Sequence, residues 1–490
     1  MKRQAARFPK QDEISRRSLF KAGAAFAVAA AGCGKTELLG QLVAEQRSGR
    51  QLVLTHTHAG VAAIKKRLSD MHVPRDKFHL DTIAGWCLRY GAAYPAISGY
   101  RPGSEADPDW TSTYPGAEKV CRSALGKRVV SESYSGVLVD EYQDCSLKQH
   151  ALVRALAESI PCRGVGDPLQ TIFGFREDPV VSWDAIKTDF DVIDGALTEP
   201  WRWRRDGRNA ALGEWLVAAR AQLEMTGRLV IGDDAPVTWV QHTTDVEAPE
   251  TWAATCRKAG AAANETMVAI LKWPNMCKEL AKRMGGRWPI VERFDDPDLL
   301  RLGVKLVDAD GPTVVADLVE FVSERMTGMG TALRTAVDAI KTGRGVSRIT
   351  KNRDHADRLS AIANAPTPAN ALVWLEGVLA HLAHRDEWWL YRRECVFQLR
   401  EALRHCSGET FAELPDMVAA ARTRARHRGR HTHRRTIGTP LLVKGLEFDH
   451  AVLLWEPDHL SVQGLYVALT RASKSLAIVS RSRTLVPEGT

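Results

Sequence analysis

The sequence lacks several features that would assign it to a particular class of protein. It has no run of about 18 or more uncharged apolar residues, so neither a membrane-spanning segment nor a membrane partner is expected. Its nine cysteines form no C-x-x-C pair and follow no regular spacing, which argues against a zinc site and favours reduced thiols. Internal repeats are also absent. What is left is a globular chain of 490 residues, long enough for about two to four domains.

Positive charge is concentrated in one part of the chain. The net charge is +8, and residues 422–435 (RTRARHRGRHTHRR) contain seven arginines and no acidic residue. These seven arginines account for nearly all of the excess positive charge, so the rest of the chain is close to neutral. Two interpretations stay open, a solvated basic linker or a strip that contacts phosphate groups.

The string AAAGCGKT at residues 29–36 has the form of a phosphate-binding loop. Gly32 and Gly34 allow backbone N–H groups to converge on phosphate oxygens, and a helix expected to follow from Thr36 points its positive end at the same place. Lys35 is expected to reach the β- and γ-phosphates of a nucleotide, and the Thr36 hydroxyl is expected to bind Mg²⁺.

A competing pattern overlaps this loop. Residues 15–21 (SRRSLFK) and the string Ala-Gly-Cys ending at Cys33 are typical of a twin-arginine signal with a lipoprotein cleavage site. Cleavage before Cys33 would separate the phosphate-binding loop from the apolar run 26–31, which we expect to be a buried strand. Further nucleotide-motor motifs follow in order, so we expect Cys33 to belong to the nucleotide site and the protein to be cytoplasmic.

A second candidate half of the nucleotide site lies about a hundred residues later. The apolar run Gly136–Val139 is followed directly by the acids Asp140 and Glu141. Asp140 at the end of such a strand can hold the Mg²⁺ shell, and Glu141 can accept a proton from an attacking water. Adjacent acids also occur in ordinary strand-end turns, but their pairing with the loop at Lys35 favours the catalytic interpretation. The expected cofactors are therefore ATP and Mg²⁺.

The string DEYQD that begins at Asp140 resembles motif II of superfamily 1 DNA helicases of the UvrD/Rep type. Further matches to this family follow in the family's order and extend nearly from end to end of the chain. The matching segments are 54–58, 81–86, 166–176, 197–202, 439–449 and 465–472.

The resemblance implies a role for several individual residues. Gln170 would sense the γ-phosphate, and Arg202 and Arg471 would reach it from a second motor domain. Fixed guanidinium groups suit this task, because charge builds on the phosphoryl oxygens during transfer. Glu447 would approach the ribose, and Gln11 is the candidate for reading adenine.

Single-stranded DNA is typically held by a basic groove with aromatic faces for base stacking. Phe175 is the preferred stacking residue because it follows Gln170 by only five positions, whereas Phe173 fits a core role better. The candidate DNA-binding residues are Thr55, His58, Thr82, Trp86, Phe175 and Arg176.

Alternation of strands and helices with two sets of motifs predicts an α/β fold with two RecA-like parallel-sheet P-loop motor domains. The first motor domain is expected over residues 1–196, with a small insertion at about 84–130. The second is expected over 197–290 and 434–490. Residues 291–433 carry helical periodicity and no catalytic motif, which predicts a mainly α-helical second insertion ending in the basic strip.

Two functions fit these features. The resemblance implies an ATP-dependent translocase or helicase that moves 3′ to 5′ on single-stranded DNA. The alternative is a DNA-stimulated ATPase subunit that senses DNA and regulates a separate OLD-like nuclease, as in Gabija-type anti-phage systems. RNA substrates are not excluded by the motifs. The sequence ends soon after Arg471, so no C-terminal nuclease domain is expected.

Overall fold

The computed structural model describes residues 23–45, 49–101, 110–172, 178–205, 207–243, 247–259, 262, 264–293, 296–384, 387–428, 433–456 and 460–488. The chain divides into two compact units. Unit 1 comprises Met1–Trp239, Lys444–Asp449 and Trp455–Thr490, and unit 2 comprises Val240–Val443 and His450–Leu454. This division differs from the motor-domain boundaries expected from the motifs, and those boundaries stay a prediction.

The strands, in chain order, are β1 Ala24–Ala29, β2 Gln51–Thr55, β3 Phe78–Thr82, β4 Gly136–Val139, β5 Cys162–Gly166, β6 Asp191–Leu197, β7 Leu229–Val230, β8 Thr238–Gln241, β9 Met267–Ile270, β10 Met326–Thr327, β11 Trp389–Leu390, β12 Arg435–Gly438, β13 Phe448–Leu454, β14 Ala472–Ser480 and β15 Thr484–Leu485.

The helices are α1 Lys35–Glu45, α2 His58–Asp70, α3 Ile83–Ala93, α4 Pro95–Ser98, α5 Trp110–Arg122, α6 Ala124–Ser133, α7 Leu147–Ala157, α8 Trp183–Asp189, α9 Trp201–Arg204, α10 Ala210–Thr226, α11 Ala248–Lys258, α12 Pro274–Arg283, α13 Pro297–Lys305, α14 Gly311–Ser323, α15 Met329–Lys341, α16 Arg353–Asn364, α17 Pro368–His384, α18 Arg393–His405, α19 Leu414–Arg428, α20 Pro440–Val443 and α21 Val462–Leu469.

Unit 1 is built on a six-stranded sheet with the order β3-β2-β4-β5-β1-β6. Every neighbouring pair in it is parallel, with Leu54 in register with Val139 and Val139 in register with Gly164. Strands buried on both faces carry continuous apolar runs, and β2 and β4 are buried at every residue. Because the strands are parallel, their carboxyl ends meet at one edge, which is where ligands bind in open α/β sheets.

Alternate residues of these strands supply two separate cores, as the period of two of a β-strand requires. Leu52 and Leu54 of β2 pack with Phe26 in one core, together with the face of α3 that carries Trp86. Val53, between the two leucines, packs on the other face of the sheet with residues of α1 and α2. The sheet therefore holds β1 and β4 rigidly between two helical layers.

Unit 2 contains a second group of parallel strands and a helical module. Met267 at the start of β9 is in register with Arg435 of β12 on one side and with His450 of β13 on the other, and both pairs are parallel. The helices α13 to α19 share one apolar core that extends from Leu299 to Ala421, beside the two-residue antiparallel pair of β10 and β11. The predicted α/β class, with two parallel-strand sheets and a mainly α-helical module, is confirmed.

The basic strip is not uniformly a linker. Its first half belongs to α19, where Arg424 and Arg428 both pair with the single carboxylate of Glu401. Arg435 begins β12, and residues 429–432 lie outside the described part of the chain. One acid shared between two arginines leaves an excess positive charge on this helix. Among the described residues, no helix combines the length and the apolar character needed to cross a bilayer.

Candidate active site

The phosphate-binding loop connects the carboxyl end of β1 to the first residue of α1, as the sequence predicts. Gly32 has a φ of 71° and Gly34 a φ of 95°, a region that L-residues with a Cβ adopt only at a cost. Steric contact adds a second requirement at Gly32, since a Cβ there would lie 2.4 Å from the ring of Trp203. Glycine at this position lets the loop main chain approach that ring closely.

The loop's polar side chains are arranged around its main chain. The Lys35 ammonium is buried and donates to the carbonyl oxygens of Ala29 at 3.0 Å and Ala30 at 3.3 Å. Thr36 follows in the first turn of α1 and is half-buried. Burial raises the pKa of the Cys33 thiol to about 11, so this side chain is a neutral packing group and offers the site only its main chain.

The acidic pair lies at the end of β4, beside the end of β2. The N–H of Asp140 donates to the carbonyl of Leu54 at 2.9 Å. Glu141 has a φ of 52°, an uncommon backbone conformation for a residue other than glycine. Its carboxylate accepts a hydrogen bond from the Gln143 amide at 2.6 Å. Backbone strain of this kind persists where the surrounding structure enforces it, often at functional sites.

The surroundings separate the pKa values of these two acids. Burial, together with repulsion from Glu141, raises the pKa of Asp140 to about 7. Burial also acts to raise the pKa of Glu141, but Lys35 and Lys444 outweigh it and hold that pKa below its usual value. Glu141 is therefore ionised at neutral pH and can act as a base. Asp140 is a buried acid with too little nearby positive charge, and a divalent cation would supply that charge.

Lys444 connects three of the motifs and was not singled out from the sequence. Its ammonium donates to Asp144 Oδ1 at 2.6 Å and to the main-chain carbonyl of Gln170 at 2.5 Å. Both side chains are buried, with 7% of Lys444 and 3% of Asp144 exposed. The contact fixes the loop that carries Gln170 against the strand end that carries the acids. Lys444 and Asp144 both lie in motif strings, but nothing in the local sequence predicts that they pair.

Gln170, the proposed γ-phosphate sensor, is held by a hydrogen bond to Asp167. Gln170 is buried, and its amide donates to Asp167 Oδ2 at 2.7 Å. The N–H of Asp167 donates in turn to Gln143 Oε1 at 2.9 Å. The other Asp167 oxygen accepts a hydrogen bond from Arg220 at 2.6 Å. Arg220 lies outside every motif string, and nothing in the local sequence distinguishes it from a surface arginine of α10.

Arg202 lies directly against the phosphate-binding loop. Its N–H donates to the carbonyl of Gly32 at 3.0 Å. Its guanidinium pairs with Glu447 Oε1 at 2.7 Å and donates to the carbonyl of Thr470 at 2.8 Å. The structure thus brings together two residues that the sequence assigns separately to phosphate and ribose. The neighbouring Arg204 pairs instead with Glu199 and Glu214, 41% of its side chain being exposed, so Arg202 is the arginine placed at the loop.

Arg471 is a buried cation, with 2% of the residue exposed. Burial, assisted by Arg202, lowers its pKa to about 10, so it stays charged at neutral pH. It donates to the carbonyls of Val467 at 2.8 Å and Leu446 at 3.2 Å and to the Thr470 hydroxyl at 2.9 Å. Thr470 therefore contacts both arginines, one through its carbonyl and the other through its hydroxyl.

Three of the candidate DNA-binding residues are buried. Trp86 is fully buried in the core and stacks on Tyr90 with ring centroids 3.9 Å apart, so it has no exposed face for a base. The structure assigns it to the core, and its expected role in binding DNA stays a prediction. Thr55 and Thr82 are buried as well, and the Thr82 hydroxyl caps α3 by accepting the N–H of Gly85. His58, half-buried at the start of α2, is still accessible.

Three further candidates cannot be placed. Gln11, Phe175 and Arg176 lie outside the described residues. Their expected roles in reading adenine and contacting DNA stay predictions.

Comparison with known proteins supports the motif assignment in the middle of unit 1. Residues 122–191 match the UvrD/REP helicase N-terminal domain, and this span contains the acidic pair and Gln170. This segment is therefore similar to the UvrD/REP helicase family. The resemblance predicted from the motif strings is confirmed there. A probable DNA helicase from Mycoplasma pneumoniae is 41% identical over 64 residues, which are 13% of this chain and 12% of that protein. The chain thus covers a small part of that relative.

Solved structures of viral helicases are also similar. An arterivirus nonstructural protein 10 helicase in complex with DNA matches with a TM-score of 0.33 and 11% identity, over 95% of this chain and 62% of the viral chain. The PRRSV helicase matches with a TM-score of 0.34 and 11% identity, over 96% of this chain and 54% of the viral one.

Proposed function

We propose that this protein hydrolyses ATP and uses the reaction to move along single-stranded DNA. The observation that supports the ATPase is the set of groups gathered around one loop in unit 1. Arg202 bonds the loop at Gly32, and the charge of Lys35 lowers the pKa of Glu141. A phosphate-binding loop, a base and buried cations together meet the requirements of phosphoryl transfer, which depends mainly on positioning and charge stabilisation.

In the proposed reaction, the loop N–H groups and Lys35 bind the phosphates of ATP. Lys35 exchanges its contacts with the Ala29 and Ala30 carbonyls for charge-assisted contacts with phosphate oxygens, which are stronger. Glu141 accepts the proton of the attacking water at its ionised carboxylate. Thr36 and Asp140 have the oxygen donors that Mg²⁺ prefers, and the bound ion would neutralise charge on the phosphates.

Arg202 and Arg471 are the groups proposed to stabilise the charge that develops on the transferred phosphoryl group. The Arg202 guanidinium donates to the Thr470 carbonyl and the Arg471 guanidinium to the carbonyls of Val467 and Leu446, so both are held in place before the reaction. Preorganised donors in a water-poor site avoid reorganisation when the charge appears. The ion pair with Glu447 keeps Arg202 at the edge of the loop, and Glu447 is proposed to contact the ribose once nucleotide binds.

Coupling to DNA is proposed to run through the segment after Gln170. Phe175 and Arg176 follow it within six positions in the sequence and are the proposed DNA contacts, together with His58. The single-stranded DNA substrate and the cytoplasmic location, where ATP is available, both rest on the family resemblance. The direction of movement proposed on the same ground is 3′ to 5′.

Streptavidin displacement tests the movement and its direction. Oligonucleotides biotinylated at the 5′ or the 3′ end are incubated with the protein and ATP, with Glu141→Gln as the inactive control. Faster release from the 5′ end is expected, since a 3′-to-5′ motor runs into that block. Faster release from the 3′ end would reverse the direction, and equal release by wild type and control would refute movement.

A second function is favoured by one observation, the small size of the segment inserted between β3 and β4. Its described residues, 83–101 and 110–133, form the helices α3 to α6. A compact insertion suits an ATPase that senses DNA and regulates a separate nuclease better than it suits a strand-separating helicase. Purification from the native operon distinguishes the two, because a co-eluting nuclease would favour the regulatory function.

A further inference from the structure

A chain of buried polar contacts leads from the proposed γ-phosphate sensor to the phosphate-binding loop. Gln170 donates to Asp167 Oδ2 at 2.7 Å, and Arg220 donates to Asp167 Oδ1 at 2.6 Å. The same Arg220 nitrogen lies 3.4 Å from the Tyr466 hydroxyl, which accepts the N–H of Ala31 at 3.2 Å. Five residues from four separate stretches of the chain are thus joined within unit 1.

Arg220 is central to this chain of contacts because it is the charged partner of Asp167, which has no access to solvent. The carboxylate of Asp167 is 0% exposed, and the Arg220 side chain is 13% exposed. A buried carboxylate is stable only with a charged partner and with hydrogen bonds to its remaining lone pairs. Arg220 supplies the charge, while Gln170 and the N–H of Leu169 supply hydrogen bonds.

The packing of Arg220 leaves its guanidinium little freedom. Its central carbon lies 5.3 Å from the centroid of the Tyr466 ring, within the range of a cation–π contact. A second nitrogen pairs with Glu224 one turn later on α10, at 2.9 Å. Glu224 is itself 46% exposed, so this outer pair is screened by solvent and contributes little.

We propose that Arg220 is a positioning residue for ATP hydrolysis, which acts by fixing Asp167 and thereby the orientation of the Gln170 amide. Through Tyr466 the same guanidinium also connects the segment that carries Asp167 and Gln170 to the main chain at Ala31. The inference rests on the proposed ATPase function, and none of the family motif segments contains Arg220. Loss of the charge at Arg220 frees Asp167 to rearrange, so Gln170 no longer points in one direction.

The test compares steady-state ATP hydrolysis, at saturating single-stranded DNA, of the full-length wild type, Arg220→Gln, Gln170→Ala and the double variant. Arg220→Gln is expected to lower kcat by about 10-fold or more while KM for ATP stays within about 3-fold, because misplacement of a catalytic group affects the transition state. Since Arg220 acts through Gln170, the double variant should be no slower than Gln170→Ala alone. Arg220→Lys, which keeps the charge, should recover part of the lost kcat.

Glu224→Gln is the matched control, because it removes only the exposed partner of Arg220 and should keep the wild-type kcat. A wild-type kcat in Arg220→Gln, or a double variant whose loss is the product of the two single losses, would overturn the proposal. If Arg220→Gln does not fold, Arg220→Lys replaces it in the comparison with Gln170→Ala, and a double variant whose loss is the product of the two single losses would again overturn the proposal. A wild-type protein without ATPase activity would instead refute the proposed function itself.

Discussion

Replacement of Gly32 by alanine tests how closely the phosphate-binding loop packs against Trp203. An alanine at a φ of 71° adopts a left-handed conformation, which costs about 1–2 kcal/mol. Its Cβ would lie 2.4 Å from the Trp203 ring, which is 2% exposed and is held by a hydrogen bond from its indole nitrogen to the Ala472 carbonyl at 2.7 Å. Such overpacking adds about 1–3 kcal/mol. The free energy of unfolding should therefore fall by about 2–5 kcal/mol.

Gly99→Ala is the matched control for this change. Gly99 has nearly the same φ, 70°, but a Cβ there would meet nothing within 4 Å. In urea unfolding under identical conditions, the free energy of unfolding of Gly99→Ala should therefore fall only by the conformational cost, about 1–2 kcal/mol. ATPase activity should fall about 100-fold in Gly32→Ala alone, because a displacement of about 1 Å in a catalytic site has an effect of that size. Equal losses of stability in the two variants, with ATPase retained in both, would refute the close packing.

Two further predictions concern buried residues. Trp86→Ala should lower the free energy of unfolding by about 3–5 kcal/mol, as for other buried aromatic side chains. Below the unfolding transition, its affinity for single-stranded DNA at fixed salt should equal that of wild type. Weaker DNA binding by the folded variant would show instead that Trp86 contacts DNA. Burial, against the opposing effect of Arg392, raises the pKa of Glu292 from 4.5 to about 7, so the folded state keeps a proton there that the unfolded state loses. The stability of wild type relative to Glu292→Gln should therefore fall by up to about 3 kcal/mol as pH rises from 4.5 to 7 in parallel unfolding titrations, and a pH-independent difference would contradict this.

Much of the local geometry of the candidate nucleotide site could be predicted because its signals are local. The glycines at 32 and 34, the helix after them and the acids at the end of β4 are each fixed by a short string and by simple rules of strands and helix starts. Parallel strands then bring the separate strings to one edge of the sheet. Residues 122–191, which contain the acids at the end of β4, match the UvrD/REP helicase N-terminal domain.

The contacts that assemble the site could not be predicted, because they join positions far apart in the chain. Ala31 and Tyr466 are 435 positions apart, and Arg202 and Thr470 are 268 apart. Periodicity determines which face of a helix is buried, but it does not identify the partner across the core. Arg220 is such a case, since its pairing with Asp167 depends entirely on tertiary structure.

The burial of Trp86 has a signal in the sequence that the motif resemblance does not take into account. In α3, Ile83, Trp86 and Cys87 recur at the spacing of one apolar helical face, and all three are buried. A single buried face predicts a core residue, whereas the motif resemblance suggested DNA contact. The periodicity correctly indicates that the Trp86 ring is buried, where it stacks on Tyr90.

The central claim is that one site around Lys35 and Glu141 hydrolyses ATP in response to single-stranded DNA. Its most direct test is the rate of ATP hydrolysis as a function of oligonucleotide concentration, at one fixed salt, for wild type, Lys35→Ala and Glu141→Gln. Wild type should be stimulated by DNA, and loss of the base should lower the rate about 10²–10⁴-fold while single-strand affinity stays near that of wild type. DNA-stimulated hydrolysis at the wild-type rate in either variant would contradict the account.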